Sequence, residues 1–356
     1  MPRIRTVLLV AGAAVLARRA MRRRIETSPL WPMPALEEPI SGRPRSRALR
    51  LRVARHEKVA DGVVQLRLEG DELPAWEPGA HLDLVLPSGL VRQYSLCGDP
   101  EDTSSYTVAT RLIEAEQGGR GGSREVHERL REGAEVEIRG PRNRFPLADA
   151  DAYVFVAGGI GITPILPMLR AAEAAGRDWR LLYGGRSRAS MPFVEDVEKL
   201  AGAEPDRVAV AAEDEGGRPD LTGLLTGLRP GTAVYVCGPE GLMDAVAERV
   251  PDDCALHLER FTPHTSTEGN EAFEVELRRS GRTVGVPADS TVLAEVRKEL
   301  PDTLYSCEQG FCGTCQQRVL EGEIDHRDEL LTDAERADSM LICVSRANGG
   351  RIVLDM

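Results

Sequence analysis

Tyr153-Val-Phe-Val-Ala-Gly-Gly-Ile-Gly-Ile-Thr-Pro164 runs from unbroken apolar residues into three glycines within four positions, then into an amphipathic stretch reaching Ala175. An apolar run without alternation suits a parallel strand buried on both faces. Glycines between strand and helix let a phosphate approach the helix N-terminus. Further apolar runs at Trp179–Tyr183, Val208–Ala212 and Ala233–Cys237 alternate with helical patterns, which predicts a doubly wound α/β layout. Cys237-Gly238-Pro239 ends the last run and should face the same crevice at the carboxyl edge of the sheet. The turn is not G-x-G-x-x-G, so the pair of glycine turns carries the reading. The candidate dinucleotide contacts are Gly158, Gly159, Gly161, Cys237, Gly238 and Pro239, along Gly158–Pro164 and Cys237–Met243. Arg186 and Arg188, in Tyr183-Gly-Gly-Arg-Ser-Arg188, stand where a 2′-phosphate could sit, so NADH and NADPH both remain open.

Upstream the periodicity changes. Leu49, Leu51 and Val53 alternate, Val63 to Leu68 follow the turn signal Asp61-Gly62, and short segments broken by Pro and Gly continue to about Leu147. This pattern predicts an antiparallel β-barrel. Arg92-Gln93-Tyr94-Ser95 ends one of its strands, where the guanidinium could bind a phosphate or a flavin ring while the phenol packs on it. Gly119-Arg120-Gly121-Gly122-Ser123 precedes a helical run from Arg124 to Arg131 and could form an anion site. Alone, each has a plainer reading, a surface strand and a flexible loop.

Downstream, Cys307-Glu-Gln-Gly-Phe-Cys312-Gly-Thr-Cys315 gives C-x4-C-x2-C, with Cys343 further on. This is the plant-type spacing for four thiolates on a [2Fe–2S] cluster. Gly310 and Gly313 would let the loop wrap the cluster and turn backbone N–H groups toward the sulfurs. Structural zinc is the rival, but it usually comes with paired C-x2-C knuckles. Cys97 and Cys254 read as small packed residues. Strands are expected at Phe273–Leu277 and Arg351–Asp355.

With 356 residues the chain suits two or three domains, and its net charge of −12 argues against nucleic acid as a partner. Seven cysteines, three within nine positions, fit metal ligation in a reducing cytoplasmic compartment better than disulfides. Thr6–Ala17 is apolar and flanked by arginines, yet shorter than the roughly 20 residues of a spanning helix. Residues 1–24 could therefore touch a membrane surface from the cytoplasmic side, as a peripheral anchor. A disordered tail, or a start at Met21, is the alternative. A Pro-rich leader follows from Ser28 to Pro44.

Taken together, these motifs resemble the phthalate dioxygenase reductase group of the ferredoxin–NADP reductase superfamily, over about residue 48 to the C-terminus. Composition marks off a leader (1–47), which has no counterpart in this group, and a linker (263–271). Around them the resemblance implies an antiparallel β-barrel flavin domain (48–148), an α/β doubly wound NAD(P)-binding domain (149–262) and an α+β, β-grasp-like [2Fe–2S] ferredoxin domain (272–356). By the family's pattern Arg92, Tyr94 and Ser95 bind the flavin, and Ala109, Thr110 and Arg111 line it. Gly121, Gly122 and Ser123 match the phosphate loop, Thr163 reaches the flavin, and Phe261 lies near its ring. FMN is implied rather than FAD. Asp325-His-Arg-Asp328 and Cys343-Val-Ser-Arg346 also look like this group.

The expected activity is NAD(P)H-driven electron transfer through FMN and the cluster to an external acceptor. Ser95, Thr163 and Cys237 are the expected positioning groups at the hydride-transfer centre. The thiolates are expected on the surface side of the last domain. The family implies a Rieske-type oxygenase as acceptor, with a cytochrome P450 next. A ferredoxin-like carrier with a non-catalytic reductase part is the alternative, as is a self-contained oxygenase or sensor.

Overall fold

The alternation that begins at Leu49 continues through a long strand, β1 (Leu49–Ala60), and its hairpin partner β2 (Val63–Glu69). The computed structural model describes residues 48–114, 119, 121–216, 220–261, 269–328 and 330–356. The apolar/basic N-terminal segment, the Pro-rich leader, Arg120 and most of the 263–271 linker lie outside these residues. With β3 (Ala80–Val85), β4 (Val91–Ser95), β5 (Ser105–Arg111) and β6 (Glu135–Asn143), the first two strands form a six-stranded sheet in the order β4-β3-β6-β1-β2-β5. All its pairings are antiparallel.

The sheet curls until its two edges meet. Leu96 bridges to Val108, and the Cys97 N–H donates to Thr107 O at 2.9 Å. Closure removes most of the edge that an open sheet would expose. Inward residues such as Val53, Leu66, Leu68, Leu82, Leu84 and Ile138 fill the barrel. Helix α1 (Gly122–Arg129) adds Val126 to the same core.

The nucleotide domain follows the expected pattern. Strands β7 (Ala152–Gly158), β8 (Asp178–Gly185), β9 (Val208–Ala212), β10 (Ala233–Cys237) and β11 (Ala255–Glu259) form a five-stranded sheet ordered β11-β10-β7-β8-β9. Every neighbouring pair is parallel. Helices α2 (Ile162–Ala174), α3 (Val194–Ala201) and α4 (Glu240–Ala247) accompany it. Phe155, Trp179, Leu181 and Tyr235 pack on one side, and Val154, Val156, Val234 and Val236 on the other. Burial on both faces explains the unbroken apolar runs. Strand β11 is an addition to the expected elements; its outer position leaves Leu256 to Glu259 only half-buried. The chain order reverses between β7 and β10, which places the two glycine turns side by side at a topological switch point.

The last domain holds β12 (Phe273–Leu277), β13 (Arg282–Val286), β14 (Gln316–Glu321), the short β15 (Ile324–Asp325), β16 (Ser339–Leu341), the short β17 (Arg346–Ala347) and β18 (Arg351–Leu354). Its main sheet runs β13-β12-β18-β14-β16, with β12 and β18 parallel. Helix α5 (Val292–Glu299), capped by the Thr291 hydroxyl, packs Val292, Leu293 and Val296 onto this sheet. No helix among the described residues is long and apolar enough to cross a membrane.

Candidate redox centre

Two glycines of the β7–α2 turn are there because other atoms stand where a side chain would be, backbone at Gly161 and the Pro239 ring at Gly158. A Cβ on Gly161 would stand 2.2 Å from Cys237 O, and one on Gly158 would stand 2.5 Å from Pro239 Cδ. Gly158, Gly159, Gly161, Cys237, Gly238 and Pro239 are thus one packed unit, as the strand order requires. Thr163 is buried in the first turn of α2, and its hydroxyl donates to Ile160 O at 2.9 Å. Cys237 is wholly buried, 4.0 Å from a Glu259 carboxylate oxygen; burial and that carboxylate hold its thiol well above the usual range. A thiol so placed shapes the turn and does not ionise.

The arginines separate. Arg188 donates to Glu198 at 2.8 Å and has Glu215 at 4.0 Å. Arg186 is exposed, and no ion pair to a carboxylate engages it among the described residues. Arg111 leaves the flavin barrel and brings its guanidinium to 3.2 Å from a Gly159 Cβ position; burial and the charge of Arg186 lower its pKa. Arg111 therefore faces the nucleotide turn.

In the barrel, the Arg92 guanidinium donates to Val91 O at 2.9 Å. It lies against the start of α1 so closely that a Cβ on Gly122 would be 2.4 Å from Nε. Gly121 takes a left-handed φ of 80°, and no side-chain hydrogen bond caps the helix. An uncapped first turn beside a guanidinium fits a phosphate. The Ser123 hydroxyl accepts from the Ile113 N–H at 3.0 Å, tying α1 to the chain just after β5. Burial pushes the Tyr94 phenol up to about 12 despite Arg92, so it stays neutral. Ser95 and Thr110 are buried, and Ala109 packs with Cys97 against Ile160, so β5 meets the nucleotide turn. Cys97 is a packed residue as expected; Cys254 is only half-buried.

On the outer face of β3, His81 and Asp83 are also buried, with Arg142 at 2.6 Å from the Asp83 carboxylate. Burial first, then Arg142 and Arg144, push His81 down to about 3. The unfolded chain takes up this proton near 6.5, so the associated stability is full above that pH and lost as pH falls toward 3. Burial raises the pKa of Asp83, which works in the opposite sense over its own window. Replacing His81 with Gln should flatten the decline of the unfolding free energy, measured in urea, between about pH 7 and 4.5 by a few kcal/mol at most. Denaturation at both pH values checks it.

Cys307, Cys312, Cys315 and Cys343 are all buried. Cys307 neighbours both Cys312 and Cys343, and Cys343 neighbours Cys315, so the four sulfurs form one group. Backbone N–H groups already point at them, Gln309 to Cys307 Sγ at 3.3 Å and Thr314 to Cys312 Sγ at 3.5 Å. Gly310 and Gly313 adopt φ of 78° and 73°, the backbone the loop needs to do this. No three His, Cys, Asp or Glu side chains among the described residues converge on one ion position. A plant-type [2Fe–2S] cluster would be held by four cysteine thiolates, the donor set that Cys307, Cys312, Cys315 and Cys343 supply.

The orientation of the cluster loop corrects the expectation of surface-side thiolates. Cys307, Cys312 and Phe311 pack against Val85 and Val91 of the flavin barrel. The Val91 N–H donates to Ser306 Oγ at 2.6 Å, and Arg92 to Ser306 O at 3.3 Å. Gln309 Nε2 donates to the carbonyl of Phe261 at 2.9 Å, while the Phe261 residue itself is 41% exposed. The loop thus touches both other domains. Sequence reasoning missed Ser306, Gln309 and Val91; only the position of Ser306 next to the first cysteine offered any signal.

A closed barrel with a phosphate-ready helix start, a doubly wound sheet with paired glycine turns and a four-thiol loop define an iron–sulfur flavoprotein reductase. Residues 155–248 match the oxidoreductase NAD-binding domain family, and 275–348 the 2Fe-2S iron-sulfur cluster binding domain family. The carnitine monooxygenase reductase subunit of Escherichia coli is 40% identical over 81% of this chain and 91% of its own length. The phthalate dioxygenase reductase of Burkholderia cepacia is 36% identical over 86% of this chain and 97% of its own. The chain belongs to the phthalate dioxygenase reductase family. A solved phthalate dioxygenase reductase superposes with TM-score 0.64 at 35% identity, covering 87% of this chain and 98% of that one. An intact type IV self-sufficient cytochrome P450 monooxygenase gives TM-score 0.66 at 41% identity, over 93% of this chain and 44% of that one. This chain is an NAD(P)H-dependent oxidoreductase that uses FMN and a [2Fe–2S] cluster to supply electrons to an oxygenase system.

Proposed function

We propose that the acceptor is a separate Rieske-type oxygenase, and that the residues above divide the work as follows. Bound FMN would supply the chemistry, two-electron oxidation of NAD(P)H and one-electron delivery to the cluster, so two electrons would leave per nucleotide oxidised. Arg92 and the uncapped start of α1 hold the flavin phosphate. Tyr94, Ser95, Ala109 and Thr110 line the ring, and Ser123 braces the helix. The backbone at Gly158–Gly161 and Cys237–Pro239 seats the nucleotide, with Arg111 and Arg186 on its anionic groups. Thr163 and Cys237 set the shape of the turn. Cys307, Cys312, Cys315 and Cys343 hold the cluster.

The observation that carries this reading is the packing of Cys307 and Cys312 on the flavin strand. Anaerobic mixing with NADH or NADPH should bleach the flavin band and then the cluster bands, with a rhombic low-temperature EPR signal. A protein reduced by dithionite but by neither nucleotide would be a carrier instead. The names of the relatives favour an oxygenase acceptor. The likeness to a P450 chain favours the second reading, a P450, and cluster reoxidation by each purified acceptor separates the two. A net charge of −12 suits an acceptor with a basic docking face.

Between the arginines, Arg186→Glu should raise KM for NADPH about tenfold or more and change KM for NADH little. Arg188→Ala, already neutralised by Glu198, should leave the nucleotide preference unchanged. Steady-state kinetics with both nucleotides check this. For residues 1–24 we propose peripheral attachment to anionic lipid, on composition alone. Sedimentation with anionic vesicles, lost on deleting residues 1–24, checks it.

A further inference from the structure

Strand β4 ends the order of the barrel sheet, so over Val91–Ser95 it pairs with β3 alone. The Val91 N–H points off the free edge. Val91 is nevertheless buried, and a buried donor without an acceptor is rarely tolerated. The acceptor comes from 215 residues away, the Ser306 hydroxyl at 2.6 Å, itself buried. A second tie runs the other way round the same residue: Arg92 Nη1 bonds both Val91 O, at 2.9 Å, and Ser306 O, at 3.3 Å. The next residue, Cys307, packs on the Val91 side chain. One serine thus finishes the edge of the flavin strand and fixes the first cysteine of the cluster loop.

We propose that Ser306 is a positioning residue for flavin-to-cluster electron transfer, its hydroxyl clamping the cluster loop to the edge of β4. This rests on the function proposed above. The step it governs moves one electron from reduced flavin to oxidised cluster, breaks no bond, and needs no reductant beyond NAD(P)H. Such a step depends on the separation and orientation of the two centres, which the clamp would hold fixed.

The test uses the full-length holoprotein with Ser306→Ala and Ser306→Thr. In S306A, NAD(P)H should bleach the flavin at the wild-type rate, while the following cluster phase in anaerobic stopped flow slows severalfold. Hydrogen exchange of the Val91 amide should accelerate about 5- to 150-fold with its acceptor gone. S306T keeps the hydroxyl and should restore both. A wild-type cluster phase in S306A overturns the proposal, as does a slowed phase with unchanged Val91 exchange. If S306A loses its cluster bands, S306T must keep them with wild-type transfer; loss in both variants overturns it. Failure of the wild-type flavin to bleach with either nucleotide would instead sink the reductase reading, with Val91 exchange still reporting the clamp.

Discussion

Cys343→Ala removes the visible bands and EPR signal of the cluster and lowers electron delivery to an acceptor by about 100-fold or more, while nucleotide-driven flavin bleaching continues. Two features make the effect large. Cys343 is one of four neighbouring thiols, and a cluster with three protein ligands leaves one iron site open to solvent. Cys343 and Cys315 also belong to the apolar core built on β12, β18 and α5. That core serves a domain of about 85 residues, near the size where a metal contributes materially to folding. The melting temperature should therefore fall together with the bands. Cys254→Ala is the control, since that thiol lies in another domain and is only half-buried. Retention of a normal rhombic signal in Cys343→Ala would mean that another group is the fourth ligand.

Gly161→Ala should abolish or severely weaken reduction by both nucleotides and leave dithionite reduction of the cluster intact. The new Cβ would lie 2.2 Å from Cys237 O, 2.6 Å from Cys237 C and 3.0 Å from Gly238 N. All three are backbone atoms of the neighbouring strand end, so no side chain can swing aside. Relief requires spreading β7 from β10, which opens the crevice between the glycine turns. Overpacking of this kind costs about 1–3 kcal/mol, and KM should rise about tenfold or more. Gly285→Ala, where nothing stands within 4 Å of the added methyl, should change stability by no more than about 0.5 kcal/mol. Thermal melts and steady-state kinetics decide the matter. A Gly161→Ala protein with normal KM for NADH would show that the turn does not seat the nucleotide.

Much of the architecture was legible because its signals are local. Strands β9, β10 and β12 coincide with the apolar runs expected at Val208–Ala212, Ala233–Cys237 and Phe273–Leu277. The spacing of Cys307, Cys312 and Cys315 is likewise contained in nine residues. What escaped notice is held by contacts between distant parts of the chain. The Val91–Ser306 and Phe261–Gln309 bonds join residues 215 and 48 positions apart, and each uses a backbone group that leaves no mark on side-chain pattern. Arg188 had its counter-ion ten residues on, at Glu198, but nothing in the spacing said that α3 would bring them together. Arg111 was placed along the flavin by the family's pattern. Only the packing of β5 on the nucleotide turn shows its side chain facing the other domain.

Because β4 carries Arg92 and Tyr94 and also offers Val91 to the cluster loop, the ferredoxin part is not an interchangeable cartridge. A chimera that borrows residues 272–356 from a relative would inherit a loop shaped for that relative's own strand. Transplants should regain electron flow when positions 85 and 91 travel with the graft, and stall when the junction is cut at the linker alone.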